Sequence, residues 1–371
     1  MKLTNFKYNL SFYDPYHNDN DKDYNDWSLL EMQLDGGFNL LVGKNATGKT
    51  RFISRISSFC GLLLDFYNDD DFESFKESWN LSFSKKDGDT LDYNLTMDMP
   101  PTYDGWDFFL DESLFVNKKQ VLKREDDDAV VYSMISQKDI EISPPSDALV
   151  VKARRDIKEF PFFEDIIKWV EGVNIFYFAR NRENSKETVS KLFSTLKPDA
   201  VKTLIADLNF LNYDIENILI KETREGNSKI QELFIKEKNI SKNISESDIS
   251  QGMMRALGLL VFVENRLGNP KTSLIVVDDL GEGLDYERAT KLGKLLVEKL
   301  ENSNIQFIAT SNDSFLMDVI PIKYWNIPRR DGNTVSSLNY QNSKERFDKF
   351  LMTGLSNFDL FSSNYLMRPK P

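Results

Sequence analysis

The sequence has one cysteine, Cys60, and one histidine, His17, in 371 residues. A single thiol excludes a disulfide framework within the chain, and one cysteine with one histidine does not build a zinc site. Cysteine this scarce suits a reducing compartment. Long apolar runs are also missing, since none approaches the ~20 residues that span a bilayer. Met1-Lys2-Leu3 leads straight into strand-like sequence, without the charged and then apolar segments of a signal peptide. Positive charge is in deficit. Lys and Arg number 47 against 59 Asp and Glu, a formal net charge of −12. That disfavours an all-over nucleic-acid surface, which needs cations opposite phosphates, but leaves room for a local basic groove. The expectation is a soluble cytoplasmic protein with no membrane partner. Hydrophobic content of 40% and aromatic content of 12% are enough for a sizeable core and argue against bulk disorder.

Along the chain, residues 2–12 have strand character, 14–26 read as a polar loop, and 27–34 resume as a strand. Gly36-Gly37 turns the chain into a short apolar strand, Phe38-Asn39-Leu40-Leu41-Val42. From 50 to 66, Phe52, Ile53, Ile56, Phe59, Leu62 and Leu63 fall largely on one helical face, and Cys60 lies with them as a core residue. Residues 79–135 alternate as an antiparallel β region, with Lys86-Asp87-Gly88-Asp89 as a hairpin turn. Pro144-Pro145 marks a boundary, followed by a helix over 160–170 and a strand over 173–178. The stretch 186–239 is charged and reads as mostly helical, without the heptads of a coiled coil. After Ser250 the pattern is α/β again: helix 252–267, strand 273–277, helix 286–300 and strand 305–310. Short strands and a helical tail complete the chain.

The strongest motif is Gly43-Lys44-Asn45-Ala46-Thr47-Gly48-Lys49-Thr50, a full G-x-x-x-x-G-K-T followed by Arg51. Such a loop cradles phosphates because its backbone N–H groups are freed of side-chain crowding. The helix that follows adds a favourable dipole. Lys49 is placed to reach the β- and γ-phosphates of ATP, and the Thr50 hydroxyl to ligate Mg²⁺. An apolar strand before the loop and an amphipathic helix after it give the motif its context.

The second signal is Leu274-Ile275-Val276-Val277-Asp278-Asp279, four apolar residues ending in paired acids. Asp278 at the end of a buried strand is placed to hold Mg²⁺ through water. Asp279 stands where a carboxylate orients or deprotonates an attacking water. The bland reading of this segment is a parallel strand ending in a capping Asp. A third signal, Ser250-Gln251-Gly252, lies at a helix start just upstream; alone it is a plain helix cap.

In this order the motifs resemble an ABC-type ATPase of the SMC/RecF/OLD branch, and within it the compact ATPases of bacterial anti-phage systems such as PARIS, Septu and OLD-type systems. The resemblance covers most of the chain. It implies an α/β fold: a P-loop NTPase core of ABC type with an antiparallel β lobe and a helical insertion. The domains expected are an N-terminal ATPase lobe over 1–150, a mainly helical insertion over 151–245, a C-terminal ATPase lobe over 246–330 and a tail over 331–371. Ser250, Gln251 and Gly252 stand in for the family's signature, Gly283-Leu284-Asp285 for its D-loop, and Thr310-Ser311-Asn312-Asp313 for its switch. Glu112-Ser113-Leu114 and Leu122-Lys123-Arg124 lie in the part that resembles the extra β lobe.

Two departures stand out. The switch histidine is Asn312, and the catalytic Glu is Asp279. Asn hydrogen-bonds a phosphate or a water but does not accept a proton as His does. Both changes point towards modest or regulated hydrolysis. The resemblance also implies a head-to-tail dimer or higher oligomer, in which Ser250 and Gly252 of one subunit cover the ATP of the other. Only about sixty residues follow the switch strand, too few for the nuclease domain of OLD-type proteins, so a nuclease or toxin effector is expected on a separate chain. A RecF-like repair ATPase acting on DNA is the alternative, disfavoured by the acidic charge. A transporter subunit fits poorly with the roughly 200 residues between Lys49 and Ser250. The cluster Lys152, Arg154, Arg155, Arg180 and Arg182 reads as a solvated face rather than a DNA contact, and Asp69–71 and Asp126–128 as acidic turns without calcium-loop spacing.

Overall fold

The computed structural model describes residues 1–13, 24–64, 75–102, 105–177, 185–225, 228–301 and 303–363. Arg180, Arg182 and residues 69–71, together with 14–23 of the polar loop, lie outside them.

In chain order, β1 (Lys2–Phe12), β2 (Tyr24–Gln33) and β3 (Phe38–Val42) lead into α1 (Lys49–Leu64). A long antiparallel run follows: β4 (Phe75–Ser84), β5 (Thr90–Asp98), the two-residue strands β6 (Pro101–Thr102) and β7 (Gly105–Trp106), β8 (Phe109–Val116), β9 (Lys119–Glu125), β10 (Asp128–Ser133) and β11 (Lys138–Ile142). Then come α2 (Val150–Ala153), α3 (Pro161–Glu171), β12 (Val173–Tyr177), α4 (Ser185–Ser194) and α5 (Pro198–Phe210). The strands β13 (Ile215–Glu225), β14 (Ser228–Glu237) and β15 (Ile244–Ser245) precede α6 (Gln251–Leu267), β16 (Leu274–Asp278), α7 (Tyr286–Glu301) and β17 (Gln306–Ser311). The remainder is α8 (Ser314–Val319), β18 (Trp325–Asp331), β19 (Thr334–Asn339), α9 (Tyr340–Leu351) and α10 (Asn357–Ser362).

The chain divides into two compact units, 1–173 with 325–345, and 174–324 with 346–371. In the first, strands run in the order β11-β10-β9-β8-β5-β4-β1-β2-β19-β18-β3. The order is antiparallel through β2. It then mixes, because β19 runs parallel to β2 and β18 parallel to β3. Strict alternation in β4 buries Phe75, Glu77, Trp79, Leu81 and Phe83, the mark of a sheet covered on one side. The cover includes α1, whose Phe52 meets Phe6 edge-on at 5.2 Å and whose Phe59 meets Tyr93 at 5.9 Å. Trp169 of α3 packs on Phe83 at 4.9 Å. Cys60 is buried on the same helix, and burial pushes its thiol up to about 12.

In the second unit, β16 and β17 pair in parallel with β12 beside β16. Every residue of β16 and β17 is buried. These strands therefore read as continuous apolar runs rather than alternating ones. The stretch 186–239 differs from the helical expectation in its second half. Helices α4 and α5 are there, but 215–225 and 228–237 pair as antiparallel strands, with Ile218 opposite Ile235 and Ile220 opposite Leu233. The β-branched run Ile215-Glu216-Asn217-Ile218-Leu219-Ile220 outweighs the helix-favouring Glu and Lys around it. No helix among the described residues is long and apolar enough to cross a membrane.

Candidate functional site

In the first unit, the loop 43–50 leaves the fully buried strand β3 and enters α1, as its sequence requires. Ala46 and Gly48 both sit at positive φ, 64° and 98°. These left-handed residues turn successive peptides so that their N–H groups face one side. Among the described residues, the N–H groups of Ala46, Thr47 and Gly48 donate to no protein acceptor. Unpaired donors in a row are what a phosphate-binding loop presents. A Cβ on Gly43 would come within 2.6 Å of Thr47 Oγ1, so the close turn needs glycine there.

Lys49 is buried, and its ammonium donates to the carbonyls of Gly43, at 2.6 Å, and Lys44, at 3.1 Å. The Lys49 side chain thus folds back along the loop, with neutral oxygens standing where charged phosphate oxygens would bind more strongly. Thr47 Oγ1 closes the loop on Lys44 O at 2.9 Å. Thr50 is the second residue of α1, which places its hydroxyl at the helix N-terminus. Arg51 is exposed, with its guanidinium 5.6 Å from the ring centre of Trp27. Trp27 itself is buried against Gly48, where a Cβ would lie 3.3 Å from its ring.

In the second unit, Asp278 ends β16 and is buried. Thr310 Oγ1 donates to Asp278 Oδ1 at 2.6 Å and accepts the Asp279 N–H at 2.8 Å. The Leu280 N–H bonds Thr310 O at 2.8 Å, and Ser311 Oγ donates to Leu280 O at 3.0 Å. One threonine hydroxyl therefore fixes both acids of the pair. Its role is invisible in the linear motif, because it joins residues about thirty apart. Asp279 takes φ 57°, half-buried just beyond the strand. Asn312 is exposed, and Asp313 caps α8 by accepting from the N–H groups of Phe315 and Leu316.

Ser250 caps α6 by accepting the Met253 N–H at 3.2 Å, as the plain reading of Ser250-Gln251-Gly252 requires. The structure adds what faces this helix start. A Cβ on Gly252 would lie 3.2 Å from Gly283 O and 3.6 Å from Leu284 Cδ2. Gly283 is at φ 77°, and a Cβ on it would overlap Arg255 Nη1. Arg255 in turn donates to Glu282 O at 2.7 Å. The segment around 250–255 and the loop 282–285 thus fit together through two glycines and one arginine. Asp285 caps α7 by accepting the Arg288 N–H, which, followed by its pairing with the Arg288 guanidinium, holds its carboxyl below the usual range. Arg288 also lies 4.4 Å from the ring centre of Tyr213, which burial pushes up to about 12.

The acidic turn at 126–128 serves structure: Asp126 is left-handed and its carbonyl accepts Arg124 Nε at 2.6 Å. Arg155 pairs with Glu164 at 2.8 Å, the solvated pairing expected of that cluster. No group of three or more His, Cys, Asp or Glu side chains among the described residues is placed to hold a metal. A Mg²⁺ ion carried in with nucleotide does not need one, since it keeps waters and phosphate oxygens and takes one or two protein ligands.

Residues 38–318 match the model of the family described as "AAA domain, putative AbiEii toxin, Type IV TA system". A search of the curated proteins finds no match. Among solved structures, an SMC head bound to the C-winged helix domain of ScpA aligns with a TM-score of 0.52 at 11% identity, covering 93% of this chain and 100% of that one. The SMC head domain from Thermotoga maritima aligns at 0.47 and 12% identity, covering 91% and 99%. The Pyrococcus furiosus Smc head with an extended coiled coil, bound to the C-terminal domain of ScpA, gives 0.46 at 12% identity, covering 94% and 99%. The first similarity shows the fold, the α/β P-loop fold of an SMC head ATPase domain.

Proposed function

Because the chain belongs to the AAA-domain family whose model it matches over 38–318, we propose that it binds and slowly hydrolyses ATP, assembles around the nucleotide, and controls an effector on a separate chain. The observation that carries the reading is the loop 43–50. There, three N–H groups in succession have no acceptor among the described residues, beside a buried lysine that bonds the loop's own carbonyls.

Each residue has a definable part. Lys49 exchanges the Gly43 and Lys44 carbonyls for phosphate oxygens, and the charge-assisted bonds it gains favour the nucleotide. Gly43, Lys44, Asn45, Ala46, Thr47 and Gly48 supply backbone donors, and Arg51 a flanking cation. Thr50 and Asp278 are the residues that would hold Mg²⁺, which would neutralise charge on the phosphates. Thr310 keeps the Asp278 carboxylate pointed and dry. Asp279 orients the attacking water or takes its proton, from a shorter side chain than Glu. Asn312 donates and accepts hydrogen bonds there without exchanging a proton. Slow turnover follows, and a slow hydrolase keeps its bound state long enough to act as a clamp.

Assembly is head to tail, with Ser250, Gln251 and Gly252 of one subunit meeting the nucleotide of the other. ATP favours the assembly to the extent that it makes contacts there which the separate subunits lack. The effector is a nuclease or toxin, and the setting is anti-phage defence in the cytoplasm. The family's description, which names a toxin of a type IV toxin–antitoxin system, supports a context of this kind.

The test is direct. Calorimetry should show MgATP binding to the wild-type chain and none to Lys49→Ala. Light scattering should show a larger species with a non-hydrolysable analogue. Unchanged ATP affinity in Lys49→Ala would remove the nucleotide reading. Nucleic-acid cleavage by the purified chain, lost in Asp278→Ala, would remove the separate effector. Salt-dependent DNA binding by the chain alone would favour the RecF-like alternative.

A further inference from the structure

Within the first unit, the hairpin of β18 and β19 lines the nucleotide loop along its length. Pro328 Cγ lies 3.2 Å from where a Gly43 Cβ would be, and Val335 Cγ2 lies 3.5 Å from the same position on Gly48. Between them, Arg330 Nη1 donates to Ala46 O at 3.1 Å, across 284 residues of sequence. Arg330 Nε donates to Gly332 O at 2.8 Å, which braces the guanidinium on its own turn. The Ser28 N–H bonds Asn333 O at 3.0 Å and ties that turn to β2. This hairpin lies beyond the 38–318 stretch that the family model matches.

We propose that Arg330 is a positioning residue for the phosphate loop, acting through the peptide between Ala46 and Thr47; this rests on the reading of 43–50 as the ATP site. A trans peptide is planar, and its C=O and N–H point in opposite directions. Holding Ala46 O from outside therefore aims the Thr47 N–H the other way, into the side where the loop's unpaired donors lie. Ala46 needs that hold. It is a non-glycine residue at φ 64°, and the left-handed region costs an L-residue roughly 1–2 kcal/mol. A charge-assisted bond to its carbonyl offsets part of the strain and polarises the peptide, which strengthens the N–H as a donor. Arg330 does not touch the nucleotide; it sets one of the donors that does.

The experiment compares wild type, Arg330→Ala, Arg330→Lys and Lys49→Ala for MgATP affinity, for KM and kcat of hydrolysis, and for Tm without nucleotide. The side chain is exposed, so Tm should stay within about 1 °C in Arg330→Ala. ATP affinity should fall about five- to tenfold, the value of one ordinary hydrogen bond, because Arg330 acts on the nucleotide only through the Thr47 N–H. KM should rise by the same factor, with kcat within about twofold, because the donor serves ground state and transition state alike. Arg330→Lys keeps a cationic donor for Ala46 O and should recover at least half of the loss on a logarithmic scale. Wild-type affinity in Arg330→Ala, with binding abolished in Lys49→Ala, overturns the proposal and leaves the ATP site standing. A fall in Tm without a change in affinity overturns it too, by making Arg330 a structural brace only. Absence of ATP binding by the wild-type chain overturns the ATP site and this proposal together.

Discussion

Thr310 is the residue on which the acidic pair depends, and Thr310→Val isolates its hydroxyl. Valine keeps the shape and replaces the oxygen with a methyl group. Two bonds are lost at once, the 2.6 Å donation to Asp278 Oδ1 and the 2.8 Å acceptance from the Asp279 N–H. The first is charge-assisted and contributes about 1.5–3 kcal/mol. The second leaves a backbone donor unpaired beside a side chain that is 0% exposed, at a cost of about 1–3 kcal/mol. The two share one atom and do not add fully, so the expected loss is about 2–4 kcal/mol. For a unit of this size that is a fall in Tm of about 5–15 °C. Thr310→Ser keeps the oxygen and loses one methyl, which costs about 1 kcal/mol. Circular dichroism melts of the three proteins read the difference, with ATP turnover measured in parallel. Turnover should fall about tenfold in Thr310→Val, since a 1.4 kcal/mol misplacement of either acid is enough for that. A valine variant that melts within about 2 °C of wild type, or one indistinguishable from serine, would refute the claim that this hydroxyl holds both acids.

Gly283→Ala should cost about 2 kcal/mol, because it forces an L-residue to φ 77° and drives Arg255 off Glu282 O; light scattering should show weaker nucleotide-linked assembly. Lys299 bonds Asp207 at 2.8 Å and Glu264 at 2.6 Å. Burial opposes its charge, but the two carboxylates hold its pKa above the ordinary value, so this contribution is complete below that value and fades as pH rises through the higher folded one. Lys299→Met should destabilise by about 3 kcal/mol at pH 7, since it leaves two partly buried carboxylates unpaired. The loss should shrink as the pH is lowered, because burial already raises Asp207 and its protonation then removes the repulsion; a loss that does not change with pH would count against it. Cys60 stays protonated up to about 12 when folded. It should therefore resist a thiol reagent at pH 8 until denaturant is added. Its share of stability, complete below the unfolded value near 9, should be lost as pH rises towards 12.

Much of the site was legible because its parts are local. The loop 43–50 needs only neighbouring residues to turn, so the motif and its left-handed Ala46 and Gly48 travel together. The strands β3, β16 and β17 are short apolar runs whose burial follows from composition. The hairpin at 215–237 was not legible as strand, since Glu and Lys there favour helix and half of the pairing face is masked by charge. Thr310 and Arg330 were hidden for a different reason. Each acts on a residue far along the chain, across 31 and 284 positions, and no periodicity carries such a pairing.

The structure also changes the meaning of Asp279. Read in sequence, Asp in place of Glu is a loss of reach. The backbone there is left-handed, at φ 57°. Asp and Asn are several-fold enriched in that region, because their short polar side chains bond nearby backbone groups, and longer residues are not. The bond from its N–H to Thr310 holds that turn in place. A Glu at this position would gain a methylene and meet a conformation that suits it less. The shorter acid is then the residue the turn accepts, and the slow hydrolysis proposed above would follow from how the strand end is built. The same turn, through Gly281 and Gly283 at positive φ, sets Gly283 O against Gly252 near the start of α6 before the chain enters α7. The turn that follows the proposed general base thus also packs, through Gly283 and the Arg255 bond to Glu282 O, against the segment proposed to meet the second subunit, so a change at Gly283 is felt at both.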